Sequence, residues 1–130
     1  MRIRIPYWVR NVKYFIQRGR RGWADCDTWS FDDYLCKVII GGLGKLEKDN
    51  YGCPSEFWDS SKINDECHKW KECLREIKIA FEMIREDSFS YTKKWVDGEK
   101  TFDLIVIKQR EDKINKGLEL FSRYFRCLWS

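Results

Sequence analysis

Ile63-Asn64-Asp65-Glu66-Cys67-His68-Lys69-Trp70-Lys71-Glu72-Cys73-Leu74-Arg75-Glu76-Ile77-Lys78-Ile79-Ala80-Phe81-Glu82-Met83-Ile84 places its apolar side chains at Ile63, Cys67, Trp70, Leu74, Ile77, Phe81 and Ile84, in alternating steps of four and three. Such steps keep one face of an α-helix apolar and leave charge to the other faces, which is the seam of packed helices. The spacing predicts a helix from about Asp65 to Arg85 lying near-parallel or antiparallel to a neighbour. Ile114, Leu118, Phe121, Phe125 and Leu128 repeat the pattern further on, so these two helices are expected to face each other.

Upstream, Phe31, Tyr34, Leu35, Val38, Ile39, Leu43 and Leu46 form a second stripe. It is interrupted by Gly41, Gly42 and Gly44. A glycine inside a helix costs roughly 1 kcal/mol relative to alanine, so the three are read as a place where another backbone approaches closely. Asp49-Asn50-Tyr51-Gly52-Cys53-Pro54 has turn chemistry, and a loop is expected to run on to about Asn64. Trp8, Val9, Val12, Phe15 and Ile16 mark a short amphipathic helix that opens near Pro6 and is punctuated by Gly19 and Gly22. Asp27 or Thr28 can cap the helix that follows.

From Asp87 to Gln109 two readings stand. Asp97-Gly98 is a hairpin turn signal beside the β-branched run Phe102-Asp103-Leu104-Ile105-Val106-Ile107. The preferred alternative starts the last helix near Thr101, because Phe102 and Ile105 lie at helical spacing. The expected fold is all-α: a small bundle of about four helices in one domain spanning residues 1–130, with the short hairpin as the competing local structure.

Composition narrows the class. At 130 residues, 43% hydrophobic and 16% aromatic, the chain can bury one core, and its 35% charged residues are too mixed with apolar ones for a disordered tail. Seven tryptophans exceed what such a core needs, which leaves one or two as surface anchors for a partner. No run reaches the roughly 18 to 20 apolar residues of a membrane span, and the first residues lack the apolar core of a signal peptide. A cytosolic protein is therefore expected, with Cys26, Cys36, Cys53, Cys67, Cys73 and Cys127 all reduced.

Charge is unevenly placed. Arg2, Arg4, Arg10, Lys13, Arg18, Arg20 and Arg21 all precede the first acidic residue, Asp25, which leaves 18 basic against 21 acidic residues in the remainder. A basic patch of this kind suits phosphates, a membrane surface or an acidic protein; the competing reading is a solvated face whose charges pair with the acidic body. Arg18, Arg20 and Arg21 stand beside Trp23 and Trp29 in sequence, so guanidinium forks adjoin rings able to stack on a base. Asp25 and Asp27 can neutralise the arginines internally, and the two tryptophans also fit a role in sealing the core. The candidate ligand-binding set is accordingly Arg18, Arg20, Arg21, Trp23, Asp25, Asp27 and Trp29.

Catalytic and metal chemistry has little to stand on. No Cys-x-x-Cys pair occurs, Cys67 and Cys73 lie six apart, and His68 is the sole histidine, so zinc is not expected. The Asp65-x-x-His68 pair has no second unit to build a di-iron site. Glu72 with Glu76 and Glu82 with Glu86 share helix faces, as in helical magnesium-dependent nucleotide hydrolases, but they lie off the apolar seam and point to solvent. Gly41-Gly42-x-Gly44 matches no phosphate-binding glycine loop. No catalytic residue, cofactor or metal is assigned.

The segment Arg21-Gly22-Trp23-Ala24-Asp25-Cys26-Asp27-Thr28-Trp29-Ser30-Phe31-Asp32-Asp33-Tyr34-Leu35 resembles a group of small uncharacterised proteins of tailed bacteriophages. Gly117-Leu118-Glu119-Leu120-Phe121-Ser122-Arg123-Tyr124-Phe125-Arg126-Cys127-Leu128-Trp129 is similar to that group's terminal helix. The likeness covers about two thirds of the sequence and excludes residues 89–109. It implies a phage origin and an all-helical fold, and brings no activity with it. The expected function is that of a phage accessory protein in the cytoplasm of the infected host, acting by non-covalent binding in host takeover or counter-defence, with a host protein or an anionic nucleotide as partner. Nucleic-acid binding and a metal-dependent nucleotide hydrolase are the alternatives.

Overall fold

The computed structural model describes residues 3–49, 52–58, 67–86 and 93–129. Along them run α1 (Tyr7–Arg21), a 3₁₀ turn (Asp25–Ser30), α2 (Phe31–Asp49), a short 3₁₀ turn (Ser55–Phe57), α3 (His68–Arg85), β1 (Lys93–Val96), β2 (Glu99–Phe102), α4 (Leu104–Tyr124) and a last 3₁₀ turn (Phe125–Cys127). The class is all-α, with four helices and one two-stranded hairpin among the described residues. The chain divides into two compact units, Met1–Leu35 and Cys36–Ser130.

The second unit is built on the α3 seam. Trp70, Leu74 and Ile77 are fully buried, with Cys73, Ala80 and Phe81 beside them. Cys36 and Leu43 of α2 and Tyr124 of α4 complete the core cluster. Phe57, Trp70 and Tyr124 meet as three rings with centroids 5.2 to 5.5 Å apart, and Phe81 meets Phe121 edge-on at 5.0 Å. Edge-to-face contact adds to the area that these rings bury. The Trp70 indole N–H has no acceptor among the described residues, so packing alone holds this ring.

α3 and α4 come very close together at Gly117. A Cβ at this position would lie 2.1 Å from the Ala80 Cβ and 3.4 Å from the Glu76 carbonyl oxygen. Only hydrogen fits there, so glycine's poor helix propensity is offset by the approach it permits. Polar contacts support the packing. Glu47 of α2 accepts from Arg75 Nε and Nη2 at 2.8 and 2.6 Å and from Lys78 Nζ at 3.3 Å. Burial pushes the Glu47 carboxyl up, but these donors outweigh it and hold the group below its ordinary value. Arg110 of α4, only 10% exposed, donates to the Met83 and Glu86 carbonyls and so satisfies the end of α3.

Several sequence expectations need correction. The hairpin wins over the early helix: Trp95 pairs with Lys100 and Val96 with Glu99 around Asp97 and Gly98, whose φ of 51° and 82° give the left-handed two-residue turn that suits strand twist. Asp103 then accepts from the Ile105 and Val106 N–H groups and starts α4 at Leu104. Phe102 and Ile105 are exposed, so their helical spacing does not mark a buried face. Gly41, Gly42 and Gly44 face open space among the described residues, none of which comes within 4 Å of a Cβ built on them. The seam of α4 runs through Ile114, Gly117, Phe121 and Tyr124; Leu118 and Phe125 turn outward. Of the α3 seam, Ile84 is exposed at the helix end, and Ile63 and Asp65 lie outside the described residues.

The all-reduced cysteine expectation is overturned for one pair. Cys53 and Cys67 form a disulfide with Cα atoms 5.8 Å apart, while Cys26, Cys36, Cys73 and Cys127 keep their thiols. Cys67 is the residue before α3, with φ 53°, so it leaves the helical seam and faces Cys53 beside the Ser55–Phe57 turn. Closing a loop of separation 14 restricts the unfolded chain, by about 3 kcal/mol in the chain-entropy account.

Two outcomes follow. Gly117→Ala is expected to lower stability by about 1 to 3 kcal/mol through overpacking, whereas Gly41→Ala, in open space, raises it by about 0.5 to 1 kcal/mol. Urea denaturation midpoints check this, and adding Ala80→Gly to Gly117→Ala recovers part of the loss. In denaturant without reductant, thiol titration is expected to count four reactive groups per chain, rising to six after reduction; six at the outset would remove the disulfide.

Candidate ligand-binding surface on the first unit

Pro6, with φ −55°, opens α1 and Gly22 closes it in the left-handed region at φ 83°, its N–H bonded to the Arg18 carbonyl at 2.9 Å. The reversal brings the Asp25–Ser30 turn back alongside the last two turns of α1. Asp27, its side chain only 8% exposed, accepts from Arg18 Nε at 3.0 Å and Nη2 at 2.6 Å. The same carboxylate accepts the Ala24 N–H at 2.8 Å, so its cap serves the 3₁₀ turn. Asp25 accepts from Gln17 Nε2 at 2.8 Å and from Arg21 Nη2, with Lys13 Nζ at 3.6 Å. Gln17 Oε1 in return accepts the Asp25 N–H at 2.9 Å.

Arg21 lies with its guanidinium carbon 3.8 Å from the centre of the Trp23 ring and donates from Nε to the Trp23 carbonyl at 2.9 Å. Thr28 Oγ1 donates to the Asp25 carbonyl at 2.8 Å, and the Tyr34 hydroxyl donates to the Gly22 carbonyl. The hydrogen bond from Gln17, followed by that from Arg21, holds the Asp25 carboxyl below its ordinary value. The hydrogen bond to Asp27 raises the already high pKa of Arg18.

Of the seven residues singled out from the sequence, Arg18, Arg21, Trp23, Asp25 and Asp27 are thus drawn into one network, with the aspartates neutralising the two arginines. Arg20 is exposed and has no ion pair among the described residues. Neither tryptophan seals a core: Trp23 is 38% exposed beneath Arg21, and Trp29 is 79% exposed.

Trp29 instead lines an open cleft of about 320 Å³ with Tyr7, Arg10, Asn11, Tyr14, Arg18 and Cys26. Tyr7, Arg10, Asn11, Tyr14 and Arg18 follow one another at helical spacing, so one face of α1 supplies most of the wall. The sequence reading missed this face because it followed the apolar positions. The signal was the complementary polar stripe, in which tyrosine and arginine alternate. Arg10 reaches over the Tyr7 ring at 5.6 Å. Among the described residues no carboxylate lines the cleft, so a ligand there would meet cations and ring faces.

In the second unit a cleft of about 340 Å³ is lined by Glu72, Arg75, Glu76, Ile79, Ala80, Met83 and Lys113. Three of its four charged side chains have partners: Arg75 with Glu47, Glu76 with Lys116 at 3.1 Å, and Glu72 with His68 at 3.0 Å. Burial, then Glu76 and Glu56, push the Cys73 thiol up to about 11, so it stays protonated and unreactive at neutral pH. Among the described residues no cluster of three or more His, Cys, Asp or Glu side chains is placed to hold a metal ion, and no helix is long and apolar enough to cross a membrane.

A depressed folded-state pKa means that Asp25 stabilises the first unit fully above its ordinary value of 3.8, and that this contribution is lost as pH falls through the lower folded value. Carboxyl NMR titration is expected to show Asp25 titrating below 3.8 in the native chain and returning towards it in Gln17→Ala. An unchanged value in the variant would remove Gln17 as the main cause.

Compared with protein-family models, with curated proteins and with solved structures, the chain matches none.

Proposed function

We propose that the protein is a non-covalent binding module whose first unit takes up an anionic ligand carrying an aromatic ring, a nucleotide by chemical class. The observation that carries this reading is the cleft in which Arg10, beside an Arg18 held by Asp27, adjoins the rings of Tyr7, Tyr14 and Trp29, with no carboxylate among the described residues of its wall. Guanidinium groups bind phosphate through charge-assisted hydrogen bonds, and an exposed indole stacks on any base. Its volume of about 320 Å³ is at the lower end of small-molecule sites, which suits a mononucleotide or one half of a larger signal.

The resemblance to small tailed-phage proteins supplies the biological setting of this proposal. In the cytoplasm of an infected bacterium, such a module would sequester a nucleotide signal used in defence, a stoichiometric role that requires no catalytic group. The pairing of the α3 carboxylates with Lys, Arg and His supports binding over magnesium-dependent hydrolysis. A blocked host protein remains the partner to look for if nucleotides fail.

Calorimetric titration with a panel of nucleoside mono-, di- and cyclic phosphates tests the proposal. The expected result is saturable one-to-one binding with the nucleotide recovered intact. Trp29→Ala is expected to weaken it by about 5- to 100-fold and Arg10→Gln by about tenfold. Steady conversion to product would favour the hydrolase. No retention of any nucleotide would overturn the assignment and direct the search to a pull-down from host lysate.

A further inference from the structure

α1 is built the opposite way round from an ordinary amphipathic helix. Its polar side, through Gln17, Arg18 and Arg21, is the side held by the Asp25–Ser30 turn. Trp8, Val12, Phe15 and Ile16 lie at helical spacing on the other side, and all four are exposed, Trp8 to 68% and Phe15 to 76%. No residue of α1 is buried. The extended residues ahead of it add Ile3 and Ile5, also exposed. A contiguous apolar face of this kind marks a surface that meets something other than water.

Charge identifies what. No acidic residue occurs before Asp25, and Asp25 and Asp27 lie against the polar side. Arg4 and Arg20 have no ion pair among the described residues, and both are exposed. A second copy laid face to face would set cation against cation, which disfavours self-association. An occupant has to be apolar where it meets Trp8, Val12, Phe15 and Ile16, and negative around that strip. Basic residues beside bulky apolar side chains on a short helix with low mean hydropathy are what an interfacial helix presents to acyl chains and anionic headgroups. We infer that α1 docks this protein onto the surface of a membrane containing anionic lipid, its apolar side chains entering the headgroup boundary. The cleft with Trp29 lies on the other side of the helix and stays open, so docking and the proposed ligand uptake are compatible and independent.

The test is flotation of the full chain with vesicles of phosphatidylcholine alone or mixed with phosphatidylglycerol. Binding is expected on the mixed vesicles, at least about tenfold weaker on the neutral ones, and falling with salt. Phe15→Asp, at an exposed position, is expected to abolish flotation while leaving the circular dichroism spectrum unchanged, and Arg4→Gln with Arg20→Gln to narrow the difference between the vesicles. Equal binding to both vesicle types would overturn the role of charge. Absence of flotation would overturn the proposal, as would Phe15-dependent dimerisation in analytical ultracentrifugation without vesicle binding, or Phe15-dependent capture of a lysate protein without it. Nucleotide titration of Phe15→Asp separates the two proposals, because its cleft is intact.

Discussion

The second unit depends on a missing side chain. α3 and α4 come together where Gly117 meets Ala80, and the distance set there decides which residues the two helices can share. One methylene more would hold the helices apart, and core packing near crystal density does not absorb such a change without strain. With the helices this close, Tyr124 joins Trp70, Leu74 and Ile77 in the core cluster, Phe121 meets Phe81, and Ile114 is buried. Arg110 then comes within reach of the last carbonyls of α3, which a wider crossing would leave to water. The α2 contribution is anchored separately, through Leu43 in the core and Glu47 between Arg75 and Lys78.

The first unit runs on the opposite logic. Polar groups hold it together and apolar groups face out. Exposed ion pairs contribute little on their own, but Asp27 is 8% exposed, binds Arg18 through two donors and caps a backbone N–H. Asp25 is tied in a closed ring with Gln17, each accepting from the other. Such a network gains because each bond is made by side chains that another bond has already fixed. It also explains why Arg18 and Arg21 are poor candidates for gripping a phosphate unaided: a ligand would have to compete with carboxylates already in place. Arg10, which reaches over the Tyr7 ring and has no ion pair among the described residues, bears the larger share of the proposed recognition.

What could be read from the sequence follows from which signals are local and repeated. The α3 helix was legible because Trp70, Leu74, Ile77 and Phe81 repeat one spacing without interruption, and four of the expected core positions are buried there. The hairpin was legible too, but its Asp97-Gly98 signal was outweighed by a helical spacing at Phe102 and Ile105, two residues that the fold leaves exposed. Glycines misled in both directions. Gly41, Gly42 and Gly44 stand out by clustering yet have room for a side chain among the described residues, whereas Gly117 sits inconspicuously among helix formers and has none. A glycine's purpose is set by the neighbouring helix, which one segment's pattern does not contain. The Cys53–Cys67 pair was hidden for a related reason: Cys67 continues the helical seam by spacing, and only its left-handed backbone takes it out of that seam.

The candidate surface was half legible, and the division is instructive. Five of the seven residues chosen from the sequence gather in one network, since residues 17 to 27 are near in sequence and Gly22 is a strong turn signal. Missing was the direction in which α1 faces. An amphipathic pattern states that a helix has two unlike sides; it does not state which side the protein keeps. The usual inference, that the apolar side is kept, rests on the free energy of burying it, about 25 cal/mol per Å². Here the 3₁₀ turn offers Asp25 and Asp27 where an ordinary partner helix would offer leucines, so α1 turns its arginines and glutamine towards it. The apolar strip from Trp8 to Ile16 is left exposed. That exposure lowers the stability of the free chain, a cost that the proposed docking would offset.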